Sequence, residues 1–249
     1  MSNAKSPERR LFLGTSGWNY KNWKDDFYAG VPQKRWLSHY ASRLDSVEVN
    51  ATFYRQLKET TYQKWVQETP EDFAFVIKGT RYVTHIKRLK NPEDSVLKQR
   101  DNVAELEPKL AAVLWQLPAN LQKDLGKLES FGRILNQHWP GTTHALEFRH
   151  SSWFDEEVAR LLEQYGLANC LSDSPAWPMW EMVTSGVAYV RLHGHTELYR
   201  SNYSEEQLAE WARLAGQWLE QGHRVYIYFD NTDGNHAVHN TLRLREMLS

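Results

Sequence analysis

An α/β fold of the (β/α)8 barrel class is what this 249-residue sequence predicts. Two observations carry the prediction. Eight short apolar runs of strand length alternate with connectors that are mostly of helical period, and polar or ionisable residues recur at nearly every run's carboxyl end. In a closed barrel those ends converge on one face, where such folds assemble their sites. An open doubly wound sheet instead concentrates its chemistry at one switch point. The length suits one barrel and no Pro/Gly/Ser-rich linker divides it, so a single domain is expected over residues 11–249.

The elements follow in order. Residues 11–13 read as the first strand, running out through Gly14-Thr15-Ser16-Gly17-Trp18. Pro32 suits a first helical turn, and Trp36, Leu37, Tyr40 and Leu44 share one helical face. Residues 46–49 form the second strand, which delivers Glu48 and Asn50, and a helix is expected over 61–68. The third strand, 73–77, leads into Lys78, a polar loop through Tyr82 and His85, and a helix over 95–109. The fourth, 111–115, ends at Gln116, and 123–138 is helical with Leu125, Leu128, Phe131 and Leu135 on one side. Strand five, 144–148, is followed by Arg149 and His150, then a compact helix over 155–164. Strand six, 167–171, ends at Ser172-Asp173. Its connector holds Pro175, Trp177, Pro178 and Trp180 and no helix of ordinary length. Strand seven, 187–192, carries Arg191 and places His193-Gly194 at its exit. Ser204, followed by Glu205, Glu206 and Gln207, caps a helix whose face is Leu208, Trp211, Leu214 and Trp218. Strand eight, 225–229, ends in Asp230-Asn231, and a last helix covers 237–248.

Composition narrows the function classes. Lys plus Arg total 30 against 31 Asp plus Glu, a formal charge of -1, so no whole-surface field attracts a polyanion and nucleic acid is not an expected partner. No run approaches the ~20 apolar residues of a membrane span, and no membrane partner is expected. The single cysteine, Cys170, excludes an intrachain disulfide and a cysteine-based zinc cluster; its apolar neighbours make it a core thiol. Residues 1–10 are polar with no apolar run, so they read as a disordered leader rather than a signal peptide, and a cytoplasmic location is expected.

Five segments then come together: Gly14-Thr15-Ser16-Gly17-Trp18; Glu48-Val49-Asn50 with Phe53-Tyr54; Glu147-Phe148-Arg149 with Trp153; Arg191-Leu192-His193-Gly194; and Tyr228-Phe229-Asp230-Asn231. In this order they resemble the YecE-like family, domain of unknown function 72, over residues 11–248. The resemblance implies an irregular TIM-like barrel of unsettled activity. It carries over as family-typical positions Glu48, Asn50, Tyr54, Lys78, Gln116, Glu147, Arg149, Trp153, Asp173, Arg191, His193, Asp230 and Asn231. The short connector after Asp173 departs from an ideal barrel.

The strand-end residues suggest chemistry. Glu48 and Glu147 can face each other across a barrel mouth and divide acid and base work, or each can hold a neighbouring cation. Arg149, Arg191 and Lys78 can clamp a carboxylate or phosphate, or neutralise Glu48, Glu147, Asp173 and Asp230. Strand residues two apart share a face, so Glu147 with Arg149, and Arg191 with His193, point together. His193 precedes Gly194, an open context for a solvent-facing imidazole, and is the best proton-transfer candidate. The expected catalytic set is Glu48, Glu147, His193 and Asp230. The expected binding set is Asn50, Tyr54, Lys78, Gln116, Arg149, Trp153, Asp173, Arg191 and Asn231. No metal-ligand spacing occurs, so neither metal nor cofactor is expected. The expected partner is a small polar or anionic, sugar-like ligand; no oligomeric partner is named by the sequence. The leading expectation is an isomerase or hydrolase. A metal-dependent phosphodiesterase or nucleic-acid processing enzyme, and a non-catalytic anion-binding protein, are the alternatives.

Overall fold

The computed structural model describes residues 9–249, so residues 1–8 of the expected leader lie outside the described residues. Its last two residues are anchored. Arg9 donates to the Asp72 carboxylate and carbonyl, both at 2.6 Å, and Arg10 donates to Leu219 O at 2.8 Å. The described chain is therefore fastened two residues before the expected boundary.

Alternation along each strand sorts side chains onto two surfaces. Eight parallel strands result: β1 (Leu11–Thr15), β2 (Ser46–Val49), β3 (Ala74–Lys78), β4 (Leu110–Gln116), β5 (Thr143–Glu147), β6 (Leu167–Asp173), β7 (Val187–Leu192) and β8 (Arg224–Phe229). One set of positions, including Val47, Phe75, Trp115, Leu146, Val190 and Ile227, joins the large core shared with the helices. The other set fills the barrel axis. Tyr189, Tyr226 and Tyr228 occupy the volume left by Ala112, Ala145 and Ala168, with Val76, Leu114 and Cys170 between them. Large rings opposite small residues fill the interior, so it is a packed core rather than a pore.

The strand order β1-β8-β7-β6-β5-β4-β3-β2 leaves β1 and β2 to close the barrel. That seam carries one isolated parallel bridge, Ser16 to Glu48, so closure is nearly complete. Side chains satisfy the amides that lack a ladder partner. Leu13 N donates to Asp45 Oδ1 (3.2 Å), and Thr15 N donates to the Tyr40 hydroxyl (2.9 Å), which lies 3.0 Å from Ser46 O. The buried hydroxyl thus stands in for a missing rung. Gly14 permits the approach, because a Cβ there would lie 2.1 Å from Ser46 O.

The helices are α1 (Trp36–Ala41), α2 (Ala51–Tyr54), α3 (Glu59–Glu68), α4 (Glu93–Asn102), α5 (Leu125–His138), α6 (Glu156–Gln164), α7 (Glu205–Glu220) and α8 (His236–Met247). The helix expected over 95–109 is instead α4 followed by a 3-10 segment, Ala104–Lys109, which contains Pro108. Proline has no amide to continue the α-helical ladder. The expected polar loop after β3 holds a π-helical turn, Tyr82–Ile86. Ser204 caps α7 through a reciprocal bond with Gln207, as its spacing predicts. Among the described residues no helix is long and apolar enough to cross a membrane.

Two glycines give opposite expectations. Gly14→Ala forces β1 away from Ser46, and a loss of ~1–3 kcal/mol or more is expected from overpacking. Gly216, inside α7 with open space where a Cβ would go, should gain ~0.5–1 kcal/mol on change to Ala. Urea denaturation of both variants checks the pair.

Candidate functional site

The same alternation carries past the strand ends. The positions continuing the axial set are Ser16, Glu48, Lys78, Gln116, Glu147 with Arg149, Ser172, Arg191 with His193, and Asp230. At their centre lies Arg191, fully buried. Its Nε sits 3.1 Å from both Glu48 oxygens, and its Nη1 donates to Glu147 Oε2 (2.9 Å) and lies 3.1 Å from His193 Nε2. Its Nη2 reaches Glu48 Oε1 (2.7 Å), Asp230 Oδ2 (3.0 Å) and Ser16 Oγ (3.1 Å). No Arg191 donor is left for a ligand.

Each carboxylate has further partners. Glu48 accepts from the Ser16 and Tyr189 hydroxyls, both at 2.6 Å. Glu147 Oε1 accepts from Arg149 Nε (2.8 Å) and from Ser172 Oγ (3.3 Å), and Arg149 Nη2 lies 2.7 Å from the same oxygen. Burial opposes ionisation of Glu147, but the Arg149 and Arg191 guanidiniums outweigh it and hold the carboxyl well below its usual range. Asp230 is held low in the same way: burial opposes, and Arg191, the adjacent His193 imidazole and Lys78 prevail. His193 lies with Nδ1 3.0 Å from Asp230 Oδ2 and Nε2 3.4 Å from Glu147 Oε1. The Nδ1 contact is close in distance but poorly directed, so it makes no regular hydrogen bond.

Small exposures pick out an outer ring. Lys78 and Gln116 are 8 % and 6 % exposed, Asp230 is 9 %, and the Arg149 side chain is 12 %. Lys78 Nζ sits 4.5 Å over the Phe53 ring, and burial together with Arg191 lowers its pKa to about 8. His85 lies in the same field; burial, Lys78 and Arg149 lower its pKa to about 4. The Trp177 ring stacks on the Arg149 guanidinium at 3.6 Å and donates to Ser172 Oγ, while Trp177 and Tyr199 meet the His193 ring edge-on at 5.1 and 5.8 Å.

Several expected positions fall elsewhere. Asp173 follows outward-facing Leu171 and turns toward the helices, where its carboxylate accepts from Tyr203 OH (2.8 Å) and meets His195 (3.1 Å). Asn231, the outward neighbour of Asp230, ties the Ser201 carbonyl to Asn240. Trp153 is buried, donating to Leu121 O and stacked on Phe148. Tyr54 is 68 % exposed, outside the ionic cluster. Asn50 reaches Ser16 O at 3.4 Å, its Oδ1 unpartnered. The open context read for His193 is corrected: the imidazole is fully buried beneath Trp177 and Tyr199, and His195 is the exposed one. Ser16, Ser172 and Tyr189 are not in the expected set; the period-two register from Arg191 finds Tyr189, and the strand pairing sets Ser172 beside Arg191 and Ser16 next to the last β1–β8 pair.

A cavity of about 560 Å3 lies off the axis, lined by Tyr54, Tyr82, Lys87, Lys98 and Gln99 among others. It holds none of the convergent charges, so the site is assigned to the mouth on chemistry rather than on volume. Among the described residues no group of three His, Cys, Asp or Glu side chains is arranged to hold a metal. The buried Cys170 thiol is pushed well up by burial and is unreactive.

The profile of a family described as "Protein of unknown function DUF72" matches residues 12–249. The chain is 27 % identical to the UPF0759 protein YunF of Bacillus subtilis, covering 96 % of this chain and 94 % of that protein. It is 23 % identical to the UPF0759 protein YecE of Escherichia coli, covering 90 % and 87 %. A crystal structure of a DUF72 family protein from Thermotoga maritima superposes with a TM-score of 0.83 at 27 % identity, over 96 % of this chain and 99 % of that one. One from Enterococcus faecalis, at 19 % identity, shares the fold with a TM-score of 0.80 over 96 % of this chain and 95 % of that one.

The hub sets a pH expectation. Glu147 and Asp230 titrate below their ordinary values of 4.5 and 3.8 in the folded chain. Their stabilisation is complete above those values and is lost as pH falls through the folded ones, so acid destabilises the wild type below about 4.5. Arg191→Met removes the cation and leaves Glu48 and Asp230 without a guanidinium, while Glu147 keeps Arg149, with an expected loss of ~3–5 kcal/mol at pH 7. Burial then outweighs the remaining partners of Asp230 and its value rises above the unfolded one, so the variant should gain stability between pH 7 and 5. Urea melts at both pH values read the reversed slope.

Proposed function

This chain belongs to the DUF72 family, whose description assigns no reaction, and from its own geometry we propose that the barrel mouth is an enzyme site. It takes a small anionic, sugar-like compound and moves a proton on it, as an isomerase or a hydrolase does. The observation that supports this reading is the division of the mouth into a fully buried charged floor and a ring of four slightly exposed polar side chains.

The ring binds. Lys78 and the outer edge of Arg149 supply positive charge toward the opening, with Gln116 as an amide donor and acceptor. Arg149 is oriented by Glu147 on one edge and by the Trp177 face, and its Nη1 has no hydrogen bond among the described residues and is available to a ligand. The floor positions. Glu48 has both oxygens occupied and fixes Arg191, so its role in this reading is orientation rather than proton transfer. Glu147, held strongly ionised, is a weak base and acts through its charge. Proton transfer falls to His193, whose two nitrogens lie beside Glu147 and Asp230. A ligand reaches the imidazole once the Trp177 or Tyr199 ring moves aside. The metal-dependent alternative is not favoured, because Arg191 already occupies the carboxylate oxygens such an ion would need.

Calorimetric and turnover screens with phosphorylated and carboxylated sugars test the reading. Arg149→Gln should weaken binding of the active compound at least tenfold. His193→Asn should retain binding while slowing turnover by ~10²–10⁴, the usual weight of a general acid or base. Binding indifferent to Arg149→Gln would remove the mouth as the site. Saturable binding without any product in the wild type would leave an anion-binding protein instead.

A further inference from the structure

The charges of the mouth are paired with opposite charges, with one exception. Arg191 and Arg149 hold carboxylates, and Glu48, Glu147 and Asp230 are held by guanidiniums. Lys78 has no hydrogen bond and no ion pair at Nζ among the described residues; the amine lies over the Phe53 face, 4.5 Å from the ring centroid. A merely structural lysine so deeply buried would be expected to find a carboxylate, since an unpaired buried charge is costly. Its backbone is nonetheless firmly placed. Lys78 lies in register with Leu114, and its carbonyl accepts from Thr52 Oγ1 at 2.8 Å. The amine is thus aimed into the mouth from a rigid strand end and kept apart from the groups that would tie it down.

We propose that Lys78 is a covalent nucleophile whose neutral amine adds to the carbonyl carbon of a small anionic aldehyde or ketone and holds it as an imine. The proposal rests on the reading of the mouth as an enzyme site and names its substrate class. In the step, the Nζ lone pair forms a bond to the carbonyl carbon and the carbonyl oxygen takes a proton, giving a carbinolamine. Loss of that oxygen as water, with the second amine proton, leaves the carbon–nitrogen double bond. No electrons are gained or lost, and one water is released for each carbonyl bound.

The surroundings suit this chemistry. The groups facing Lys78 are Glu48 from β2, Glu147 from β5, Arg191 from β7, Asp230 after β8, and His85 from the π-helical turn, which also feels Arg149. Burial and Arg191 favour the neutral amine, and the three carboxylates oppose them from a distance, for a value of about 8. Lysines used for imine chemistry are activated by this combination of an apolar wall and a neighbouring cation. His85, lowered to about 4, is a neutral imidazole at pH 7 and adds no competing charge. Arg149 and Gln116 remain to bind the anionic end of the carbonyl compound.

Reductive trapping tests the proposal on the full chain. The wild type is treated with glyoxylate, and separately with formaldehyde, in the presence of cyanoborohydride at pH 7.5, and peptide mass spectrometry follows each lysine. The carboxymethyl adduct of glyoxylate should form on Lys78 at least tenfold faster than on the exposed Lys98, with a rate midpoint near pH 8. Lys78→Arg, which keeps the charge, should abolish it. Arg149→Gln should slow trapping of glyoxylate but not of formaldehyde. Equal slowing or none with both aldehydes, while Lys78 still labels fastest, would uphold the nucleophile and remove the anion subsite. Labelling of Lys78 no faster than Lys98 with either aldehyde overturns the proposal; a glyoxylate-induced rise in Tm lost in Arg149→Gln would then leave the broader reading of the mouth intact.

Discussion

The Arg191 guanidinium is the constraint on which the mouth depends. Three carboxylates from β2, β5 and the β8 exit share one dry space, where they would not all stay ionised unaided. The planar fork addresses them along different edges, an arrangement a lysine ammonium cannot reproduce. The same bonds complete the barrel. The β1–β2 seam has one backbone bridge, Ser16 to Glu48, and those two residues are joined to each other and to Arg191 on the far side of the axis. Closure of the sheet and assembly of the charged floor are therefore one event. A network of this kind stabilises when every member is satisfied and becomes a liability when one is removed.

Much of this was legible in the sequence because the strand period is so regular. The eight runs, the inward pairing of Glu147 with Arg149, and that of Arg191 with His193 all follow from side chains two residues apart sharing a face. Asp173 and Asn231 show where the reading by residue type overrode the period. Both are polar strand-end residues, yet each stands one position out of phase with its inward neighbour, Ser172 or Asp230, and so faces the helices. Ser16, Ser172 and Tyr189 are absent from the expected site because hydroxyls carry no charge signal, although they complete the shells of Glu48 and Glu147. The burial of His193 was not legible at all. It depends on Trp177 and Tyr199, contributed by loops whose paths leave no periodic trace.

The charge arrangement also divides the mouth by chemical capacity. Groups locked into the ionic network have their protonation settled by their partners. Glu147 and Asp230 are held ionised below their ordinary ranges, and Arg191 is held charged by three carboxylates. Such groups supply fixed charge, which in a water-poor space acts more strongly than in solution and needs no reorganisation. Capacity for change remains with the side chains that the network does not consume. Lys78 is the clearest of these, since its proton is held least firmly of the charges on the ring. Keeping an unpaired amine there opposes folding, a cost that a purely structural lysine would have no reason to retain.

The irregularity of the barrel has a physical consequence at the same place. An ordinary connector between β6 and β7 would be a helix packed outside the sheet. Here Asn169 donates to the carbonyls of Trp180 and Met182, Thr184 Oγ1 bridges Asn169 N and Leu167 O, and Trp180 stacks on Phe154. These contacts hold the segment against the barrel, and its start passes over the mouth rather than away from it. Trp177 is thereby placed with its ring on Arg149, its edge toward His193 and its Nε1 bonded to Ser172. One side chain then orients the outward guanidinium, covers the imidazole and excludes water from the carboxylates beneath. A regular helix in this position would have left His193 and Glu147 open to solvent, where the same charges would be screened and the floor would lose most of its field.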